Sequence, residues 1–444
     1  MADQDPDGSH IKGLILNFFH HNWPELLQLD FFEQFITPIM KAFKDTQCIP
    51  FYSHNAYQNW VKATPDYSKW RIKYYKGLGT STSAEAKEYF RNIDQHRKSF
   101  HYSGSEDDYL MKMVFEREQS TKRKEWILQW LKKRKGLLKK NIDEENIFVK
   151  NKTSISYKDF INKELIVYSN QDNVRNIPSI MDGLKPSQRK VIIYTCLKRN
   201  FIKDVKVTQL SGSVSELTNY HHSEKSIYDT VIHLAQDYVG SNNINLLVPV
   251  GHFGTRVYGG KDNASARYIS TKLSPIVRFI FPAADDNFLQ CKYDDNQTIE
   301  PIWQALFLLY APIIPFVLVN GANGLGTGWK TFIPNYNPFQ IIENLRLLLN
   351  DKPPIQMVPW YRNFKGSINV MRRNDENTIA VCRFADHIYR RGWILGEYKG
   401  ESRKIISRHT SSSNCTNNSI KKHINMLCND PGWYSPLPNT NNTI

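Results

Sequence analysis

Gly254-Thr255-Arg256, then Gly259-Gly260-Lys261-Asp262, then Ala266-Arg267-Tyr268 form the run from which the rest of this chain takes its meaning. A tyrosine flanked by arginines and small residues suits an attack on a phosphodiester that leaves the polymer covalently attached. A phenol with a pKa of about 10 is a weak nucleophile at neutral pH. Cations beside it must steady both the phenolate and the charge that builds on the phosphoryl oxygens. Glycines nearby let a polymer backbone come close. A strand-edge tyrosine beside a solvated arginine explains an isolated Arg-Tyr pair equally well, so the surrounding sequence has to separate the two readings.

The chain has 444 residues, enough for two to three domains with their own cores. Its formal charge of +15 points to a polyanionic partner, nucleic acid first. Six scattered cysteines with no CxxC pair argue against a zinc module and a disulfide framework, and for a reducing compartment. No basic start followed by an apolar core marks a signal peptide. The longest apolar run, Ala305 to Val319, contains Pro312 and Pro315 and is shorter than the ~20 residues of a membrane helix. A soluble, intracellular protein is expected.

Along the chain, an acidic cluster precedes Ile11 to Phe19, which reads as a helix. From Phe31 to about Ser103, short strand-like runs alternate with Lys/Tyr-rich turns. Glu106 to Lys140 is charged and helical in pattern and reads as a connector. Its Lys132-Lys133-Arg134-Lys135 run fits a solvated face, phosphate contacts or a nuclear-import signal. A second domain is placed near Ser156, and a third region at Pro301. The Ser/Asn/Thr-rich stretch Thr410 to Ser419 and the tail from Ser435 read as disordered.

Asp3, Asp5 and Asp7 alternate, so an extended segment would project three carboxylates to one face. Mg²⁺ is the natural occupant, since it takes oxygen ligands and keeps water and phosphate in its shell. A calcium EF-hand loop is excluded, because Leu14 stands where the bidentate glutamate belongs. A solvated acidic terminus remains the plain alternative.

Together these blocks resemble the breakage–reunion core of the eukaryotic-type type IIA DNA topoisomerases. Asp3-Gln4-Asp5-Pro6-Asp7-Gly8-Ser9-His10 resembles that family's Toprim metal motif, and Lys73-Tyr74-Tyr75-Lys76-Gly77-Leu78-Gly79-Thr80-Ser81 its Toprim loop. Asp182-Gly183-Leu184-Lys185-Pro186-Ser187-Gln188-Arg189-Lys190, Tyr220-His221-His222, Gly254-Thr255-Arg256, Ala266-Arg267-Tyr268 and Asn320-Gly321-Ala322-Asn323-Gly324-Leu325-Gly326 follow in family order. One block is weak; several collinear blocks are specific.

The resemblance implies an α/β plus α+β multidomain chain. Its expected parts are the C-terminal part of a Toprim domain (1–121), a basic connector (122–155), a winged-helix domain with the active tyrosine (156–305) and the start of a tower domain (306–390). Residues 391–444 are left unassigned and expected to be disordered. Carried over residue by residue, Tyr268 is the nucleophile of a 5′-phosphotyrosyl bond and Arg267 stabilises its transition state. Arg189 and His222 neutralise the scissile phosphate. Asp3 and Asp5 bind Mg²⁺, with Asp7 adjacent. Arg123, Lys124 and Lys185 touch DNA backbone, and Leu325 wedges between base pairs. The expected partners are double-stranded DNA and a second copy of the chain, with no membrane, in the nucleus.

Some features depart from the family pattern. The ATPase domain and the first Toprim glutamate, which precede this stretch in the family, are not found here, so an incomplete metal site, no ATP site and impaired activity are expected. Pro6, Ser223 and Ala266 replace the usual residues within three motifs. Gln304 to Leu309 reads as extra sequence, and no family pattern is found beyond about Arg390. A truncated product, reduced to a DNA-binding remnant, is the competing expectation.

Overall fold

The computed structural model describes residues 1–29, 32–75, 77–139, 154–192, 203–218, 220, 223–288, 291–294, 297–301, 312–372, 378–383 and 404–408. His222, Lys76, the 304–309 stretch and the Ser/Asn-rich tail from 409 therefore lie outside the described residues. The fold is mixed, with helices and small sheets, and divides into two compact units. One is Met1–Asn173 with Gly326–Gly328; the other is Val174–Leu325 with Trp329–Ile444.

The first unit opens on α1 (Pro6–Asn22). Asp5 caps it by accepting the Gly8 N–H at 2.6 Å, Pro6 fills the first helical position, and His20 and His21 occupy the last turn. These features start the helix five residues before the apolar run that announces it. The strands β1 (Glu33–Phe35), β2 (Met40–Lys44), β3 (Gln47–Phe51), β4 (Arg71–Tyr74), β5 (Arg97–His101) and β6 (Ser154–Ser156) form two small sheets. In one, β2 lies between β3 and β4, antiparallel to both; in the other, β5 lies between antiparallel β1 and parallel β6. Between strands run α2 (His54–Ala63), α3 (Ser83–Arg91), α4 (Ser105–Phe115) and α5 (Ser120–Lys139).

Where the sequence places a domain start at 156, the contact boundary falls after Asn173. The reason is packing. β6 adds to β5, and a π-helical turn, Phe160–Leu165, buries Phe160, Ile161 and Leu165 beside Leu16, Phe100 and Met111. The segment after 156 thus completes the first core. Nor is α5 wholly a solvated connector: Ile127 is buried, and the Trp126 indole donates to Asn162 Oδ1 at 2.8 Å. Next comes α6 (Ile166–Asn176).

The second unit holds β7 (Val205–Lys206), α7 (Val207–Thr218), α8 (Glu224–Ala235), β8 (Leu247–Val250) and β9 (Ser270–Leu273). β9 is the central strand, antiparallel to both β7 and β8. Apolar faces of α7 (Val207, Leu210, Val214) and α8 (Ile227, Val231, Leu234) close one core with Leu247, Ile269 and Leu273. Further on lie the hairpin strands β10 (Cys291–Asp294) and β11 (Gln297–Pro301), then β12 (Ala322–Gly326), β13 (Trp329–Ile333) and α9 (Pro338–Leu349). The sheet of β14 (Ser367–Arg372), β15 (Thr378–Arg383) and β16 (Lys404–Arg408) follows. β16, which lies inside the stretch 391–444 where disorder was expected, pairs with β15; a short run without alternation, such as Lys404-Ile405-Ile406-Ser407, signals a strand only once a partner is known.

Candidate functional site

Tyr268 sits at the end of the long loop joining β8 to β9, and the loop is clamped through its backbone. Gly254 (φ 94°) and Gly260 (φ 77°) lie where L side chains rarely go, and a Cβ on Gly254 would stand 2.6 Å from the Gly260 carbonyl oxygen. The buried Gln236 amide donates to the Phe253 and Gly260 carbonyls at 3.0 and 3.2 Å. Asp262 accepts the Thr255 N–H and hydroxyl, both at 2.7 Å. The Thr255 backbone bond, more than any other influence, holds the Asp262 carboxyl below the usual carboxylate range. Its negative charge is thereby committed within the loop.

Next to this clamp two exposed side chains stand between two buried ones. Ala266 and Ile269 are buried, while Arg267 and Tyr268 face outward, and Tyr268 is 66% exposed. Its backbone is tied on both sides, by its own N–H to the Ser265 carbonyl at 2.9 Å and by Lys206 Nζ to its carbonyl at 3.1 Å. The Arg267 guanidinium carbon lies 4.8 Å from the phenol ring centroid, so a permanent positive charge stands over the ring. Ala266, where the resembled family has proline, is buried in the core of the second unit.

Arg189 is placed differently from its expected role at a phosphate. It is 5% exposed, and its guanidinium fork grips the fully buried Asp182 through Nε to Oδ2 and Nη2 to Oδ1, the latter at 2.7 Å. Nη2 also donates to the Leu184 carbonyl at 3.1 Å. Both residues belong to the Asp182–Lys190 motif, so the pair locks that turn together. Lys185 stands at the N-cap position of the short helix Pro186–Arg189, its N–H donating to Gln188 Oε1 at 2.9 Å, and burial lowers its ammonium pKa.

The carboxylates in the first unit divide their labour. Asp3 Oδ1 accepts the Leu78 N–H at 2.7 Å, and a Cβ on Gly77 would stand 2.9 Å from Asp3 Oδ2. The Toprim-like loop and the acidic motif, separate in the sequence reading, therefore meet at Asp3. Asp5 spends one oxygen on its helix cap. Asp7 lies in the first turn of α1, so the alternation of an extended strand holds only as far as Asp5. Among the described residues no three His, Cys, Asp or Glu side chains form a metal cluster. Two carboxylates, each with one oxygen still uncommitted to these backbone bonds, nevertheless fit Mg²⁺, which usually takes one or two protein carboxylates and fills its shell with water and phosphate.

Sequence reasoning missed the residue that organises the adjoining loop. Glu85 takes Lys73 Nζ at 2.7 Å, the Tyr75 hydroxyl at 2.5 Å and the Thr82 N–H at 2.7 Å. Burial would raise its pKa, but these bonds prevail and hold it at about 2. The signal was present as Thr82-x-x-Glu85, a capping box that starts α3.

Of the residues expected on DNA, Arg123 turns inward. Its guanidinium donates to the Met113 and Val114 carbonyls at 2.9 and 3.2 Å and to Glu116, capping the end of α4. The same role shields it from solvent. Lys124 is half-buried, and burial lowers its ammonium pKa. Lys132, Lys133, Arg134 and Lys135 are exposed on α5. Leu325 stands 65% exposed on β12, which rules out a core-filling role.

Comparison with known proteins divides the chain at the same place as its contacts. A family model described as the C-terminal associated domain of TOPRIM matches residues 35–173, and one that describes the A subunits of DNA gyrase and topoisomerase IV matches 175–386. DNA topoisomerase 2-alpha of Sus scrofa is 53% identical over 374 residues, covering 84% of this chain and 24% of that protein. DNA topoisomerase 2 of Bombyx mori is 55% identical over 368 residues, covering 83% of this chain and 23% of its own. The crystal structure of the Plasmodium falciparum topoisomerase II DNA-binding, cleavage and re-ligation domain superposes with a TM-score of 0.67 at 43% identity, over 86% of this chain and 51% of that one. The chain thus spans about a quarter of the length of the curated relatives it matches. Two adjoining family matches, these identities and the shared fold all agree: the chain belongs to the type IIA DNA topoisomerase family.

Proposed function

We propose that this chain carries the DNA breakage and resealing chemistry of a type IIA topoisomerase, with Tyr268 as the nucleophile. The observation that carries the reading is a solvent-open phenol on a fixed backbone with the Arg267 guanidinium 4.8 Å from its ring. In this reading the Tyr268 oxygen attacks the scissile phosphorus, the 3′ oxygen departs, and a 5′-phosphotyrosyl ester forms. The ester keeps the energy of the broken phosphodiester, so the reverse attack reseals the strand.

Arg267 stabilises the negative charge that grows on the phenolate and the phosphoryl oxygens. His222 is assigned to the scissile phosphate from the resemblance. Arg189 acts through Asp182 to hold the turn that leads to it. Asp3 and Asp5 hold Mg²⁺, which when bound supplies charge neutralisation to the phosphate oxygens. Lys124, Lys185 and the exposed cations of α5 follow the DNA backbone, and Leu325 supplies the wedge that unstacks a base step.

The three-stranded sheet β7-β9-β8 with α7 and α8 is read as the winged-helix domain, its wing bearing Tyr268. The first unit is read as Toprim-associated, and the segment from 312 as the start of the tower. At the level of the whole enzyme the proposal includes a dimer, ATP-driven strand passage and a nuclear location. Among the described residues no helix is long and apolar enough to cross a membrane.

The test mixes the chain with end-labelled duplex and Mg²⁺ and quenches with denaturant. The expected result is a 5′-linked protein–DNA adduct that disappears in Tyr268→Phe, while salt-sensitive binding is retained. Binding without any adduct would replace this reading with that of a non-catalytic DNA-binding protein.

A further inference from the structure

The first two turns of α1 rest on one buried carboxylate that no motif includes. Glu164 lies in the π-helical turn Phe160–Leu165, and its neighbours Phe160, Ile161 and Leu165 are fully buried, which fixes its backbone. π-Helical turns interrupt helices at a cost and recur at functional sites. Glu164 is 7% exposed, and its Oε1 receives both the Ser9 hydroxyl at 2.7 Å and Lys12 Nζ at 2.5 Å. Lys12 also donates to Gln34 Oε1 on β1 at 3.0 Å. Glu164 Oε2 is buried and receives no hydrogen bond, so the anchoring falls on one oxygen.

Ser9 and Lys12 are three residues apart and share a face of α1. Ser9 is 4% exposed, and its hydroxyl also lies 3.1 Å from the carbonyl oxygen of Asp5. Ser9 thus links Glu164 to the backbone of Asp5: its hydroxyl proton goes to Glu164 at 2.7 Å, and its own N–H donates to the Asp5 carbonyl at 3.0 Å. That backbone sets where the Asp5 carboxylate points, since the side chain is already tied to the Gly8 N–H.

We propose that Glu164 is a positioning residue for the cation site: through Ser9 and Lys12 it fixes the start of α1 and so the aim of the Asp5 carboxylate. The inference rests on the reading of Asp3 and Asp5 as cation ligands. Groups behind the ligands of a metal site tune affinity by orienting them, and their loss weakens metal binding by about 10–100-fold. Glu164 acts one step further back, which puts the expected effect near the lower end of that range.

The experiment measures Mn²⁺ binding to the full 444-residue chain without DNA, from the signal of free Mn²⁺ in electron paramagnetic resonance. Wild type, Glu164→Gln, Ser9→Ala and Asp5→Asn are compared, with thermal unfolding and cation-free DNA binding as controls. Glu164→Gln keeps an acceptor for Ser9 but loses the charge that holds Lys12; about tenfold weaker Mn²⁺ binding is expected. Ser9→Ala should weaken it by a smaller factor. Cation-free DNA affinity should stay at wild type in both, which a general loss of structure would not allow. Wild-type Mn²⁺ affinity in Glu164→Gln, with binding lost in Asp5→Asn, overturns the positioning role and leaves the cation site standing. Unchanged affinity in Asp5→Asn overturns the cation site itself. Should Glu164→Gln fail to fold, wild-type Mn²⁺ affinity in Ser9→Ala overturns the proposal.

Discussion

The loop that carries Tyr268 and the segment that carries Asp3 and Asp5 solve the same problem in opposite ways. Around Tyr268, the bonds that fix the geometry fall on backbone atoms and on other side chains: Gln236 on two carbonyls, Asp262 on Thr255, and Lys206 on the tyrosine's own carbonyl. The reactive side chain is left open. Around the carboxylates, the proposed cation ligands are themselves the clamps, Asp3 on Leu78 and Asp5 on Gly8. Chemistry and stability are therefore separable at Tyr268 and entangled at Asp5.

Substitutions can break or sharpen that contrast. Tyr268→Phe carries the largest functional effect, complete loss of the covalent adduct, with stability within about 0.5 kcal/mol of wild type because the hydroxyl is solvent-exposed. A clear drop in its urea midpoint would show that the hydroxyl also supports the loop, and the contrast would fail. Asp182→Ala should have the largest effect on stability. It leaves the Arg189 guanidinium buried without its counter-charge, at a cost of about 3–5 kcal/mol. The readout is a lower urea midpoint with an unchanged slope. A wild-type midpoint would release Arg189 from its structural role and return it to the phosphate.

Asp5 tests the entangled side. Asp5→Ala should lose cation binding and about 1 kcal/mol of stability, whereas Asp5→Asn, an equally good helix cap, should lose the cation and keep the stability. Equal stability in the two variants would mean that the cap does not matter and that Asp5 resembles Tyr268 after all.

The smallest effect is a pH dependence. Glu85 is held at about 2 in the folded chain, below the usual carboxylate value of about 4.3. A lowered folded pKa means that its contribution is complete above about pH 4.3 and fades as the pH falls toward 2. Glu85→Gln should flatten the loss of stability over that interval, as followed by denaturant titrations at successive pH values.

What the sequence revealed, and what it hid, follows from the kind of interaction involved. The collinear motifs were legible because each demands particular residue types in a fixed order. Asp5-Pro6 was also legible as a helix start, but the alternation of Asp3, Asp5 and Asp7 drew attention to an extended strand instead. The carbonyl partners of Arg123 could not be foreseen, because every residue possesses a carbonyl oxygen and no sequence displays it. The Asp182–Arg189 pair was hidden for another reason. Arg189 was read for the phosphate it would meet and Asp182 only as part of a turn, and nothing in their spacing showed that they would meet each other. The boundary at Asn173 depended on a parallel strand pairing between residues more than fifty positions apart, which local pattern cannot report.

The position of Tyr268 beside β9 has a mechanical consequence. Ser270, two residues on, pairs with Val250 on one side and Lys206 on the other, in the central strand of its sheet. A DNA end joined to the phenol would hang from a strand laced along both edges. A pull along the strand would load the ladder in shear, spread over several hydrogen bonds at once, and would not peel the sheet open one bond at a time. If Tyr268 holds a broken duplex as proposed, it is a hook whose shank is the middle of a sheet.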